Sequence, residues 1–197
     1  KIFAFNIQHL QRNDKDEFLN GYNLFLKIAK ERGLEIYFKR FDIFFKKEER
    51  FQNMKLYILS TTKDSKSPDH VREYGKGNID NVVAISSIDL IEKNNFKSPY
   101  FFYSLDVIYN DEKKLELYKK FFDVFEKHFN YLVDTMGEKY SNSKEFKDLY
   151  LAVLQVVVIY CSIFKNKKYD WENEHRFVVF RGIYEKKYKT YIPLNIF

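Results

Sequence analysis

Residues 171–176, Trp-Glu-Asn-Glu-His-Arg, lie between a basic loop at 165–168 and the apolar run 177–180. Residues two apart in an extended chain point to the same face, so Glu172, Glu174 and Arg176 are expected to project together. The stretch predicts the start of a strand that carries two carboxylates. It fits a catalytic edge, and it also fits a salt-bridged strand start.

The rest of the chain supplies helices and further strands around this stretch. Apolar residues three or four positions apart predict helices over 16–31, 111–133 and 143–164. Short β-rich runs predict strands over 34–38, 41–45, 55–60, 81–87, 100–109, 176–184 and 188–194, with a long polar loop at 61–78. We predict one α+β domain over residues 1–197, with a twisted mixed or antiparallel sheet, an N-terminal helix and a pair of long helices. A native segment is expected to precede Lys1.

Composition predicts a large aromatic core, because the chain has 21 Phe and 16 Tyr against 6 Gly. Its 34 basic and 28 acidic residues give a net charge of +6, a mixed surface that permits phosphate contacts or serves solubility alone.

The single cysteine, Cys161, excludes internal disulfides and cysteine zinc sites, and the four histidines lack ligand spacing. We therefore expect no metal and a reducing, cytoplasmic compartment. The apolar run 151–163 is shorter than the ~20 residues of a membrane span, so we expect a buried helix and no membrane.

Two further patterns near the N-terminus and in the middle of the chain have a structural and a functional interpretation. Asp14 and Glu17 have the spacing of a capping box at the start of the first helix. Alternatively, they form an acidic turn that orients a neighbouring loop or binding residue. Ser60 and Thr61 at a strand end offer hydroxyls to a ribose or phosphate, although such residues are common at strand ends.

The long loop offers Arg72, which can bind a pyrophosphate bidentately, and Tyr74, whose ring can stack on a base. Glu172 and Glu174 can accept hydrogen bonds from a ribose hydroxyl and stabilise an oxocarbenium cation, as glycosidic cleavage requires. A surface ion-pair ladder is the alternative interpretation of these carboxylates. Phosphate-loop and GxSxG motifs are absent from the sequence.

The order of these segments resembles the bacterial family called domain of unknown function 2971, over nearly the whole chain. The residues that carry the resemblance are Asn13-Asp14 with Glu17, Leu59-Ser60 with Asp64, Arg72-x-Tyr74-Gly75, Val107-x-Tyr109, and Phe164-Lys165 with Glu172-x-Glu174-x-Arg176. The closing motif is the most specific of them, because its spacing and both flanks agree.

The family is in turn similar to the ADP-ribosyltransferase fold, which implies NAD as substrate. By this resemblance Glu174 takes the place of the catalytic glutamate and Glu172 that of its partner. Ser60 or Thr61 would line the nicotinamide pocket, and Arg72 or Arg176 would meet the pyrophosphate.

The resemblance therefore implies ADP-ribose transfer or hydrolysis of the nicotinamide bond, in a bacterial toxin, effector or antiphage defence context. The acceptor, whether protein or nucleic acid, stays open. The alternative is a non-catalytic interaction or nucleic-acid-sensing domain with a degenerate pocket. The alternative is supported by the basic charge and by departures from the family pattern, such as Lys15 in place of proline and Ile58-Leu59 in place of Cys-Phe.

Overall fold

The computed structural model describes residues 2–6, 12–41, 55–63, 68–73, 100–181 and 191–194. The strands are β1 Ile2–Asn6, β2 Lys55–Thr62, β3 Tyr100–Asp106, β4 Glu174–Arg181 and β5 Tyr191–Leu194. The α-helices are α1 Arg12–Glu31, α2 Glu35–Phe38, α3 Pro68–Glu73, α4 Asp111–Met136 and α5 Lys144–Ile163. Three 3₁₀ segments, Lys39–Phe41, Gly137–Asn142 and Lys167–Glu172, complete the described elements. The protein is α+β, as the sequence predicts.

The strands form one antiparallel sheet in the order β3-β4-β2-β1-β5. The strand β4 lies between β2 and β3, so segments more than 100 residues apart in the chain meet on it. In this register Ser60 lies opposite Arg176, Thr61 opposite His175, and Asp106 opposite His175 on the other side. The end of the sheet at which β4 begins therefore gathers the polar residues of three strands.

Successive residues of β4 point to opposite faces of the sheet. Ile58 and Val178 lie opposite each other and belong to the hydrophobic core formed with the helices. Tyr103 lies opposite Val178 on β3, and its hydroxyl accepts from Nε2 of Gln155, on α5, at 3.0 Å. The face that carries Glu174, Arg176 and Val178 is consequently the face covered by the helical layer; we call it the helix face.

Aromatic side chains fill the space between α1 and α4, as the composition predicts. Phe25 of α1 stacks on Phe122 of α4 with ring centroids 5.1 Å apart, and both are buried. The hydroxyl of Tyr118 donates to the carbonyl of Gly21 at 3.0 Å. Such a buried tyrosine contributes a large apolar area while its hydroxyl satisfies a polar group that water cannot reach.

A glycine permits the close approach of α1 to α5. A Cβ atom added to Gly21 would lie 3.0 Å from the Cα of Cys161, closer than real Cβ contacts normally come. The Cys161 thiol is buried at this contact, and burial raises its pKa to about 12. The cysteine therefore acts as a small packing residue and stays protonated at neutral pH.

The structure confirms the helices predicted over 16–31, 111–133 and 143–164, and the strand predicted over 55–60. Asn110 and Ser143 cap α4 and α5, with side chains that accept from the backbone N–H groups of Lys113 and Phe146 at 2.8 and 3.0 Å. The last two predicted strands also exist, although β4 begins at Glu174 and β5 at Tyr191. The predicted strands 41–45 and 81–87 lie mostly or wholly outside the described residues.

Four predictions about local structure were wrong in type or in extent. Residues 34–38 form a helical turn instead of a strand, because Leu34 and Phe38 bury one side of the turn while Ile36 is exposed. The helix α1 begins at Arg12, so Asp14 lies inside the first turn and not at a capping position. The predicted loop 61–78 contains the short helix α3, and the strand predicted over 100–109 ends at Asp106.

The helix α5 is long and apolar enough to cross a membrane by length and composition alone. It includes the run 151–163, which the sequence assigns to a buried helix. Its residues Val153, Val157 and Cys161 are buried in the core, where α5 packs against α1. This packing is typical of a core helix.

Candidate functional site

A left-handed residue separates the two carboxylates of the closing motif. Residues Lys167–Glu172 form a 3₁₀ turn that is capped by Asn166, whose side chain accepts from Lys168 N at 3.0 Å. Asn173 then adopts φ 41° and ψ 50°, a conformation that asparagine tolerates better than most residues, and β4 begins at Glu174. Glu172 is therefore not part of an extended chain, contrary to the prediction, and the turn brings its carboxylate to Glu174 by another route.

The two carboxylates meet on one lysine. Lys165 Nζ donates to Glu172 Oε2, and to Glu174 Oε2 at 3.1 Å. Arg176 holds Glu174 from the other side, with Nε bonded to Oε1 and Nη2 bonded to Oε2, each at 3.1 Å. These four residues, Lys165, Glu172, Glu174 and Arg176, form what we call the charge cluster.

The charge cluster is buried and electrically balanced. Glu172 and Glu174 are each 7% exposed and Arg176 is 4% exposed, while two anions and two cations cancel in formal charge. Burial alone would raise the pKa of Glu174, but the Arg176 and Lys165 charges and a hydrogen bond from Ser60 bring it below its usual value. Burial opposes the charge of Lys165, yet Glu174 and Glu172 raise its pKa above the usual value. All of these shifts favour the ionised forms.

Backbone and tyrosine groups fix the position of the charge cluster. Arg176 Nη1 donates to the carbonyl of Ser162 at the end of α5, at 2.6 Å. The hydroxyl of Tyr109 accepts from the backbone N–H of Glu174 at 2.9 Å, and burial raises the pKa of Tyr109 to about 12. The hydroxyl of Thr62 donates to the carbonyl of Glu172 at 3.0 Å. Groups from β2, α5 and the end of β3 therefore hold the two carboxylates.

A cavity of about 500 Å³ adjoins the charge cluster at Lys165. It lies between α1 and the start of α4. Its charged lining consists of the cations Lys27, Lys114 and Lys165 and the anions Glu17, Asp111 and Glu112. Lys114 is itself held, because its Nζ donates to Asp111 and to the carbonyl of Lys165, both at 2.7 Å. A cavity of this size is in the range of ligand pockets in general.

The structure brings some predicted site residues together. Ser60 lies on the helix face of β2, opposite Arg176, and its hydroxyl contributes to the lowered pKa of Glu174. Thr61 points to the opposite face and donates to the carbonyl of His175 at 2.9 Å. Of the two hydroxyls that the sequence left open, Ser60 is thus the one beside Glu174.

The two predicted residues of the long loop are placed differently. Arg72 lies on α3, is exposed, and makes an ion pair with Asp69 of the same helix at 2.9 Å. Tyr74 lies outside the described residues. Arg176, predicted as a pyrophosphate ligand, uses all three guanidinium nitrogens in the charge cluster and at Ser162. Its position suits the orientation of Glu174 better than contact with a ligand.

Sequence reasoning missed the part played by Lys165 and Tyr109. Both occur in the quoted motifs, as the lysine of Phe164-Lys165 and the tyrosine of Val107-x-Tyr109. The sequence offered no reason to connect either residue with Glu174, because their contacts depend on the sheet register and on the turn at Asn173. In the part of the chain that the structure describes, no group of three or more His, Cys, Asp or Glu is placed to hold a metal ion.

Comparison with protein-family models, with curated proteins and with solved structures gave no significant match. The resemblance to domain of unknown function 2971 and to ADP-ribosyltransferases therefore stays a prediction from the order of the motifs.

Proposed function

We propose that this chain is an ADP-ribosyltransferase-like domain that uses NAD, and either transfers ADP-ribose to an acceptor or hydrolyses the nicotinamide bond. The observation that carries the proposal is the position of Ser60, which lies opposite Arg176 on the helix face and whose hydroxyl contributes to the lowered pKa of Glu174. These are the strand hydroxyl and the glutamate that the resemblance assigns to one pocket, and they come from strands more than 100 residues apart in the chain. A bacterial toxin, effector or antiphage protein is the expected context.

Glu174 has the charge that the reaction requires. Its lowered pKa keeps the carboxylate ionised at neutral pH, so it can accept a hydrogen bond from a ribose hydroxyl and stabilise positive charge on the ribose. Glu172 would hold the second position of the motif. Arg176 acts as a positioning residue, because its two bonds to Glu174 fix the plane of that carboxylate.

Lys165 links the carboxylates to the cavity that would receive the ligand. It bonds to both glutamates and also lines the cavity beside Lys27. The pyrophosphate of NAD would draw Lys165 away from Glu174 Oε2. That oxygen keeps its bond from Arg176 and gains room to accept a hydrogen bond from the ribose. This exchange of partners accounts for a catalytic carboxylate that is bonded to a lysine before the substrate binds.

The test is release of nicotinamide from NAD by the purified chain and by its Glu174→Gln variant. We expect turnover by the chain and none by Glu174→Gln, because the amide cannot stabilise the cationic ribose. The matched control is Glu116→Gln, which changes an exposed glutamate of α4 and should keep full turnover. Equal turnover by Glu174→Gln and the unmodified chain would reject the assignment.

A second candidate function is a non-catalytic interaction or nucleic-acid-sensing domain. The observation in its favour is that Arg176 and Lys165 occupy both oxygens of Glu174 within a neutral, buried cluster, as in a purely structural network. Thermal unfolding separates the two functions, because a ligand that binds only the folded state raises the melting temperature. At roughly 100 times its Kd, NAD should stabilise the fold by about 2.7 kcal/mol. A higher melting temperature with RNA or DNA, and an unchanged melting temperature with NAD, would favour the second function.

A further inference from the structure

The face of the sheet opposite the charge cluster carries a serine, a histidine and an aspartate in one hydrogen-bonded row. His175 on β4 lies opposite Asp106 on β3, and Ser104 is two residues before Asp106 on the same strand. Residues two apart on a strand share a face, so all three side chains project together, away from the helix face. His175 and Ser104 are half-buried and Asp106 is exposed.

The distances connect the three side chains in sequence. Asp106 Oδ1 lies 2.6 Å from His175 Nδ1, and His175 Nε2 lies 2.8 Å from Ser104 Oγ. Hydrogen bonds from Lys63 and His175 lower the pKa of Asp106, so its carboxylate is ionised and accepts the Nδ1 proton. In the tautomer with the proton on Nδ1, Nε2 is the acceptor and the Ser104 hydroxyl donates to it.

Neighbouring groups hold the imidazole in place. The ring packs edge-on against Phe177, with centroids 5.1 Å apart, and Thr61 bonds to the His175 carbonyl at 2.9 Å. Lys63 Nζ lies 2.6 Å from Asp106 Oδ1. The base and its orienting carboxylate are therefore both fixed before any substrate arrives.

The register also orients the backbone of Ser104. Val107 N donates to Glu174 O at 3.1 Å, and hydrogen-bonded positions on an antiparallel strand recur every two residues. The N–H groups of Ser104 and Asp106 therefore point away from β4, towards the edge of the described sheet.

We propose that Ser104, His175 and Asp106 form a second site, separate from Glu174, which cleaves carboxylic esters through an acyl-serine. Ser104 Oγ attacks the ester carbonyl while its proton passes to His175 Nε2. The tetrahedral intermediate expels the alcohol, which takes that proton from His175. Water then attacks the acyl-serine, with His175 again as the base, and releases the carboxylic acid and free Ser104. Asp106 is a positioning residue that fixes the tautomer of His175.

The chemistry does not depend on a GxSxG motif, because triads of this geometry occur on unrelated folds and in different chain orders. The nucleophile precedes the carboxylate and the histidine comes last in this chain, with Ser104 and Asp106 on one strand. The arrangement is open to solvent on the Asp106 side, which suits small esters better than a buried peptide bond.

The test is covalent labelling of the intact chain by a fluorophosphonate probe, with the modified residue located by peptide mass spectrometry. We expect the label on Ser104 and no label in Ser104→Ala. His175→Gln should slow labelling by roughly 100-fold, the usual contribution of a general base. Hydrolysis of p-nitrophenyl acetate by the same variants should follow the same order.

Two comparisons separate a catalytic arrangement from a structural one. Asp106→Asn should slow labelling at neutral pH, and Asp106→Glu should recover part of the rate, because only a carboxylate fixes the tautomer of His175. Ser141→Ala removes an exposed serine of the 3₁₀ turn Gly137–Asn142 and should label at the full rate. Circular dichroism spectra identify any variant that fails to fold. A folded chain that leaves Ser104 unlabelled, or labels equally in His175→Gln, would overturn the proposal.

Discussion

Replacement of Arg176 by methionine tests whether the charge cluster stabilises the fold. The change keeps much of the length and the apolar stem of the side chain, and removes the guanidinium. Three hydrogen bonds are lost, two to Glu174 and one to the carbonyl of Ser162. Glu174 then keeps Lys165 as its cation while it remains buried.

The size of the effect follows from the burial of the ions. Removal of one partner from a buried ion pair costs about 3–5 kcal/mol. Without Arg176 the charge cluster holds two buried anions against the single cation Lys165. Each kcal/mol lowers the melting temperature of a domain of about this length by roughly 2–4 °C. We therefore expect Arg176→Met to melt about 6–20 °C below the unmodified chain.

Urea unfolding of Arg176→Met, Glu174→Gln and the double variant measures the coupling directly. The double variant should cost less than the sum of the two single changes, by about 1–3 kcal/mol, because it removes the anion together with its cation. Lys144→Met breaks the exposed pair with Asp148 and should leave the midpoint almost unchanged. The reasoning would be refuted if the losses of unfolding free energy in the two single variants added up to the loss in the double variant. It would also be refuted if Arg176→Met lost less than about 1 kcal/mol, as exposed ion pairs do.

Two further outcomes follow from the structure. The pKa of Glu174 is lowered in the fold and that of Lys165 is raised. The stability from Glu174 is therefore complete above pH 4.5 and is lost as the pH falls through its lowered pKa. The stability from Lys165 is complete below pH 10.5 and is lost as the pH rises through its raised pKa. Thermal unfolding across pH should show this plateau, with a weaker loss of stability in acid for Glu174→Gln. Gly21→Ala should destabilise by about 1–3 kcal/mol, because its Cβ would press on the backbone of Cys161, whereas Asn23→Ala on the exposed side of α1 should not; equal melting temperatures would contradict the close contact.

The sequence predicted the elements whose apolar spacing is regular over several turns. The helices α1, α4 and α5 have apolar residues three or four apart over at least 16 positions, so local pattern and tertiary burial agree. The strand predicted over residues 34–38 was wrong because a short apolar run does not by itself distinguish a strand from a helical turn. Leu34 and Phe38 are four apart and both buried, whereas alternation would have required Ile36, 67% exposed, to share their face.

The sequence predicted only one side of the charge cluster. The alternation of a strand correctly places Glu174 and Arg176 on one face. It does not place Lys165, whose contacts depend on the left-handed turn at Asn173 and on the end of α5. The row from Ser104 to Asp106 was missed for a related reason, because His175 joins it only through the pairing of β3 with β4.

The alternation along β4 has a consequence for how the sheet selects its pairing. A slip of β4 by one residue would turn His175 into the helix layer and move the Glu174 carboxylate to the face of Asp106. Lys165 would lose Glu174, and Arg176, which turns together with Glu174, would lose the carbonyl of Ser162. The neighbouring residues Glu174 and His175 therefore destabilise the slipped strand pairing on both faces of the sheet, and so favour the observed register.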